Sequence, residues 1–181
     1  MNLYKKIIGT SIACLSLITC SNIGAKDVHA SSGVTIQQQV KPIAINEVIS
    51  FGTKIQNESL KYLNAPRVNG GTTPAGFDCS GFTMYVFNNL GFKIPRVASD
   101  QANMNNLPGY KDKVEVISKK DVQAGDLVFF NNYGSGGVGH VGIALDNNRF
   151  IHSSSSGKRI LIASNSSSYY NSSFVKAIRV K

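Results

Sequence analysis

The apolar pattern of this 181-residue chain changes character at Pro108-Gly109. Ahead of that point apolar residues recur at helical spacing; beyond it they fall into short runs separated by turn-forming residues. Pro42 suits the first turn of a helix. Ile45, Val48, Ile49, Gly52, Ile55, Gln56, Ser59, Leu60 and Leu63 continue a largely apolar stripe until Pro66 ends it. Residues 67–76, with Gly70-Gly71 and Pro74-Ala75-Gly76, read as a loop. Asp78 is placed to cap a second helix that carries the apolar stretch Phe82–Leu90 and stops at Gly91. Ser99–Asn105 predicts a short third helix. Val114–Ile117 alternates weakly. Strands are expected at Asp126–Phe130, Gly139–Leu145, Arg149–Ser153, Arg159–Ala163 and Phe174–Val180, with a glycine-rich loop over 133–139. The serine-rich stretches 153–156 and 164–168 read as loops. Helices first and antiparallel strands second specify an α+β fold, with N-terminal helices packed on a five- to six-stranded antiparallel sheet.

Residues 1–30 read as an export signal. Lys5 and Lys6 form a basic start, and Ile7–Cys20 is uncharged, apolar and too short to span a bilayer comfortably. Val28-His29-Ala30 offers a cleavage site after Ala30. A competing reading lipidates Cys20 in Leu17-Ile18-Thr19-Cys20, but Thr19 is bulky for that position. Residues 31–44 read as a polar linker and 45–181 as one domain, a length that supports a core. Without the signal, 16 basic residues stand against 9 acidic ones, a net charge of +7. That charge suits an anionic setting such as a cell wall. The basic residues are scattered and accompany no aromatic-plus-basic motif, which argues against nucleic acid. The expectation is a secreted, cell-wall-associated monomer.

With the signal removed, Cys79 is the remaining cysteine. It is then a reactive thiol, an intermolecular partner or an inert core residue. Its place in Gly76-Phe77-Asp78-Cys79-Ser80-Gly81-Phe82, at the start of a helix, favours reactivity, because a helix N-terminus stabilises a thiolate. A nucleophilic thiol needs a base. His140 and His152 remain, and both fall on one predicted hairpin. If Asp146-Asn147-Asn148 is a three-residue loop, Leu145 pairs with Arg149 and His140 faces Ser154. His152 is then the diagonal neighbour of His140 on the same face. A two-residue turn would put the histidines on opposite faces. The set permits a nucleophile, a base and an orienting group. No metal or other cofactor is expected: ligands separated by 61 and 12 residues match no compact zinc pattern.

Four motifs in order carry a family resemblance: Phe77-Asp78-Cys79-Ser80-Gly81-Phe82, Gly125-Asp126-Leu127-Val128-Phe129-Phe130, Gly139-His140-Val141-Gly142-Ile143 and Phe150-Ile151-His152-Ser153. With Ile94-Pro95-Arg96 and Gln101 between them, they resemble the NlpC/P60 cysteine peptidases over roughly residues 45–181. The resemblance implies a papain-like fold and hydrolysis of peptidoglycan stem peptides, typically between γ-D-glutamate and a diamino acid. It implies Cys79 as nucleophile, His140 as base and His152 as the third polar residue. It also implies a substrate role for Asp78 and Ser80, whose counterparts contact the free amine of the stem peptide. The chain departs from the family's Pro-Tyr-x-Trp/Phe-Gly-Gly segment. Pro66-Arg67-Val68-Asn69-Gly70-Gly71 puts Arg67 in place of the tyrosine and Asn69 in place of the aromatic. An arginine beside Cys79 would lower the thiol pKa or bind a carboxylate such as that of diaminopimelate, and would repel an amine. A papain-like enzyme of the CHAP type, an amidase cutting the muramoyl-alanine link or a peptidase cutting a cross-bridge, is the alternative enzyme, though those usually carry Asn where His152 stands. A non-catalytic wall-binding protein is the alternative outside catalysis, and the joint presence of Cys79, His140 and His152 argues against it.

Overall fold

The computed structural model describes residues 50–131 and 136–181. The expected export signal, its cleavage site, Cys20, the 31–44 linker and the helix start at Pro42 lie outside the described residues, as does part of the 133–139 loop.

Ser50 caps helix α1 (Phe51–Leu60), its side chain accepting from the Thr53 amide. The helix ends earlier than the apolar stripe implied. Asn64 turns the chain at φ 70°, a conformation that Asn tolerates better than most residues. Its amide then donates to the Ile160 carbonyl, and the Ile160 amide donates to Ala65. Pairing with the sheet edge thus replaces another helical turn. Inside the stretch read as loop, Thr72–Thr73 (β1) and Gly76–Phe77 (β2) form a small antiparallel hairpin. Helix α2 (Cys79–Asn89) follows with Asp78 as its cap, as the sequence predicts. Helix α3 (Ala98–Ala102) runs into a 3-10 turn at Met104–Asn106.

The second half supplies β3 (Val114–Ile117), β4 (Leu127–Asn131), β5 (Val138–Ala144), β6 (Arg149–Ser154), β7 (Arg159–Ser164), helix α4 (Ser168–Ser173) and β8 (Phe174–Val180). The strands form a six-stranded antiparallel sheet in the order β3-β8-β4-β5-β6-β7. The molecule is therefore α+β, with helices before a largely sequential antiparallel sheet.

Strand β4 explains how the sheet is held. Leu127, Val128, Phe129 and Phe130 are all fully buried, so the strand is covered on both faces. Leu127 and Phe129 join the cluster that includes Phe77, Phe82, Val86 and Phe87 from the α2 side. Val128 and Phe130 join Ala144, Phe150 and Ala177 on the other face, against which Tyr170 of α4 packs. Burying each large apolar side chain contributes about 1.5–3 kcal/mol.

Two serine-rich readings are corrected. Ser153 and Ser154 are buried in β6, not in a loop, because Ser153 Oγ finds the Phe77 carbonyl at 2.8 Å and so satisfies its hydroxyl in the interior. Ser164 ends β7, and Ser168 begins α4. Helix α4 is short and poor in strong helix formers. Edge-to-face packing of Tyr170 on Phe130 and Phe150, with ring centroids 5.0 and 4.8 Å apart, supplies what propensity lacks.

Candidate active site

Cys79 is the first residue of α2, and the contacts around it account for the neighbouring motif residues. The Asp78 carboxylate accepts from the Gly81 amide at 2.6 Å and from the Gly70 amide at 3.1 Å, and pairs with both terminal nitrogens of Arg96. Burial alone would raise the Asp78 carboxyl, but Arg96 and the two amides hold it below the usual carboxylate range. Gly81 permits a close approach. A Cβ there would lie 2.1 Å from the Gly71 carbonyl, which itself accepts from the Asp78 amide at 2.9 Å. The fully buried Gln101 donates to the Ser80 and Pro95 carbonyls and accepts from the Thr83 hydroxyl, locking the Ile94-Pro95-Arg96 segment against α2. Within the first turn, the Gly81 amide goes to the Asp78 side chain and the Phe82 amide to the Asp78 carbonyl. The Cys79 and Ser80 amides precede the intrahelical ladder and have no acceptor among the described residues.

His140 on β5 and His152 on β6 meet directly. Nε2 of His140 and Nδ1 of His152 are 2.8 Å apart, with the rings nearly perpendicular. The hairpin has the expected register: Ile143 pairs with Ile151 and Ala144 with Phe150, closed by the Leu145 amide donating to the Arg149 carbonyl. The paired residues of that ladder stop short of both histidines. Gly142 lets His152 close against β5, since a Cβ there would lie 2.6 Å from the Phe150 ring and 3.2 Å from His152 Cβ.

Burial, reinforced by the charge of Arg67, pushes His140 down to about 4. Burial, then His140 and Arg67, push His152 to about 3. Both imidazoles are therefore neutral near pH 7, and His140 can accept a proton. Their shared hydrogen bond engages Nε2 of His140, so Nδ1 is the nitrogen left to do so. If Nε2–H of His140 donates to Nδ1 of His152, Nδ1 of His140 is left bare, and His152 must carry its proton on Nε2. That nitrogen lies 3.4 Å from the Tyr170 hydroxyl, a long contact in which the phenol oxygen can accept. Burial, with Tyr169 beside it, raises the Tyr170 phenol to about 12, so it stays protonated.

Cys79, His140, His152, Arg67 and Tyr170 line one cleft of about 530 Å³, together with Ser154, Ser155, Ser156, Tyr169 and Gly139. Another cleft of about 500 Å³, beside Phe92, Lys93, Tyr110 and Lys113, has no Cys, Ser, His or carboxylate among the described residues that line it. Arg67 is anchored at one end, Nη1 donating to the Ser153 carbonyl at 3.0 Å and to Ser153 Oγ at 3.2 Å. Among the described residues, no group of three or more His, Cys, Asp or Glu is arranged to hold a metal ion.

The structure thus brings together four of the six residues singled out from the sequence: Cys79, His140, His152 and Arg67. It gives the other two, Asp78 and Ser80, structural work. Ser80 is buried and accepts from Arg96 Nη1 at 2.9 Å, and a substrate amine would have to share the Asp78 carboxylate with Arg96. Sequence reasoning missed Tyr170. It sits in a serine-rich stretch with no periodicity, so nothing local marks it. The role of Arg96 was legible only as part of a motif.

The sequence model of the NlpC/P60 family matches residues 65–179. Murein DD-endopeptidase MepH of Escherichia coli (strain K12) is 34% identical over 135 residues, covering 73% of this chain and 47% of that protein. Gamma-D-glutamyl-L-lysine dipeptidyl-peptidase of Bacillus subtilis (strain 168) is 31% identical over 159 residues, 87% of this chain and 50% of that protein. The chain spans about half the length of these two relatives. Among solved structures, the NlpC/p60 domain of peptidoglycan hydrolase SagA is 32% identical with a TM-score of 0.59, covering 72% of this chain and 100% of that domain. A match over residues 65–179 that takes in Cys79, both histidines and the sheet that carries them establishes that this chain belongs to the NlpC/P60 family.

Proposed function

We propose that the chain is an exported cysteine peptidase that hydrolyses peptidoglycan stem peptides at the γ-D-glutamyl–diamino acid bond. The observation that carries this reading is the shared cleft. It sets the helix-start thiol of Cys79 beside a neutral His140 whose second nitrogen is hydrogen-bonded to His152. The names of relatives support peptidoglycan as substrate class, and one of them specifies a γ-D-glutamyl linkage. Residues 1–30 support export, and the +7 charge of residues 31–181 supports association with an anionic wall.

In this mechanism His140 Nδ1 takes the thiol proton and Cys79 Sγ attacks the γ-glutamyl carbonyl carbon. The free Cys79 amide at the helix N-terminus receives the oxyanion. Collapse breaks the C–N bond, and His140 returns the proton to the departing amine. His140 then removes a proton from water, which attacks the thioester. The γ-carboxylic acid leaves and the thiol is restored. His152 holds the His140 ring and its tautomer throughout.

The test is mass spectrometry of soluble muropeptides after incubation with residues 31–181, beside the Cys79→Ala protein. New fragments ending at D-glutamate, made by the wild type and reduced about 10⁴-fold or more in the variant, are the expected result. Release of whole stem peptides would replace this reading with the amidase. Absence of cleavage in every wall type would move the protein to a binding role.

A further inference from the structure

Beside the catalytic cleft lies a second, shallower cavity of about 280 Å³, lined by Arg67, Asn69, Ser155 and Lys158. It shares Arg67 and Ser155 with the cleft that holds Cys79 and His140, so the two form one continuous surface. We propose that this cavity is a carboxylate-binding subsite, in which Arg67 and Lys158 hold a free carboxylate of the stem peptide next to the bond being cut. The inference rests on the peptidase reading above and adds a selectivity to it.

Two cationic residues line this cavity, and neither has an ion-pair partner among the described residues. The ion pairs among the described residues engage Lys61, Arg96, Arg149, Arg179 and Lys181, but neither Arg67 nor Lys158. Among the described residues, no Asp or Glu lines the cleft or the cavity. Arg67 is preoriented. Its backbone amide donates to the Lys158 carbonyl at 3.0 Å, and Nη1 is tied to Ser153. The rest of its planar fork stays open to a carboxylate, and a guanidinium already fixed at one end loses little freedom on binding.

Lys158 is held in an unusual conformation. Its φ is +52°, in the left-handed region that glycine or asparagine would occupy at lower cost. The neighbouring Gly157 donates to Ser154 Oγ, which fixes the turn. A lysine kept at such a position, with its backbone bonded to Arg67, points to a use for its side chain. The uncharged Asn69 and Ser155 complete the cavity with further hydrogen-bonding groups. An ammonium substrate group would be repelled by this pair; a carboxylate supplies the missing charge.

Two carboxylates of a stem peptide could fill the subsite: the α-carboxylate of the γ-linked glutamate and the side-chain carboxylate of a diamino acid. Steady-state cleavage of three synthetic stem peptides separates them, one with both acids free, one amidated at glutamate and one amidated at the diamino acid. The wild type should favour the free peptide about tenfold over one of the amides, and that amide identifies the occupant. Lys158→Gln should shrink this ratio to about twofold by raising KM for the free peptide, and Lys158→Arg should restore it. Equal cleavage of all three peptides by the wild type, or an unchanged ratio in Lys158→Gln, would overturn the subsite. If no peptide is cleaved, the peptidase reading fails instead. The subsite is then judged by calorimetry on Cys79→Ala, where equal affinity for free and amidated peptides would sink it.

Discussion

On the Cys79 wall of the cleft, Asp78 accepts from two backbone amides and from both terminal nitrogens of Arg96, and Gln101 ties the whole to α2. On the histidine wall, His140 and His152 share one hydrogen bond, reach one phenol at 3.4 Å, and bond to no carboxylate among the described residues. The first wall is built from compensated charge. The second is built from neutral groups kept neutral by burial and by Arg67. A rigid platform for the nucleophile needs many satisfied hydrogen bonds. A base that must accept a proton needs the opposite, an imidazole that no carboxylate has already charged.

Acid should break this contrast most strongly. An unfolded chain protonates both imidazoles below about pH 6.5, while the folded protein keeps them neutral down to about 4 and about 3. The unfolded state therefore binds more protons in that window. Stability is complete above pH 6.5 and falls as pH drops toward 4, by at most about 1.4 kcal/mol per unit for each histidine. Urea unfolding at pH 5 should give a free energy about 2–4 kcal/mol below that at pH 7, and His152→Gln should flatten the difference. Equal stability at both pH values would show that the histidines are not held neutral. Asp78, depressed in the folded state, adds its own acid sensitivity only at lower pH.

Asp78→Ala tests the other wall. It removes a helix cap and strands Arg96, whose side chain is partly exposed, so solvent softens that part of the loss. A destabilisation of about 2 kcal/mol at pH 7 is expected from urea midpoints. A loss below about 0.5 kcal/mol would mean that Asp78 does not organise the start of α2.

The smallest effect sharpens the comparison. Tyr170→Phe keeps the ring that packs on Phe130 and Phe150 but removes the oxygen that faces His152. Turnover should fall about 3–10-fold with KM little changed, and the nitrogen chemical shifts of His152 should report a mixed tautomer. Unchanged turnover with unchanged shifts would reduce Tyr170 to a packing residue.

Several of these features are legible in the sequence. The Asp146-Asn147-Asn148 turn sets the hairpin register, and that register puts both histidines on one face, because strand side chains alternate with period two. Asp78 is readable as a cap because capping is local. Ser153, Ser154 and helix α4 are not readable in this way. A serine is polar in any local pattern, and only the Phe77 carbonyl arriving from 76 residues away makes Ser153 a core residue. Tyr170 likewise reaches His152 only because α4 lies against the sheet face that carries it.

By itself, then, the sequence determined the α+β class, the principal strands, the cap of α2 and the hairpin register, and it singled out Cys79, His140 and His152, since these follow from short-range periodicity, turn chemistry and residue type. The tertiary structure decided how those groups are tuned. Arg67 lies beside the half-buried His140 and the buried His152, Arg96 occupies Asp78, and Lys158 lines one cavity with Arg67. Charge interactions and burial depend on distances between residues far apart in the chain, and only the packed fold sets those distances.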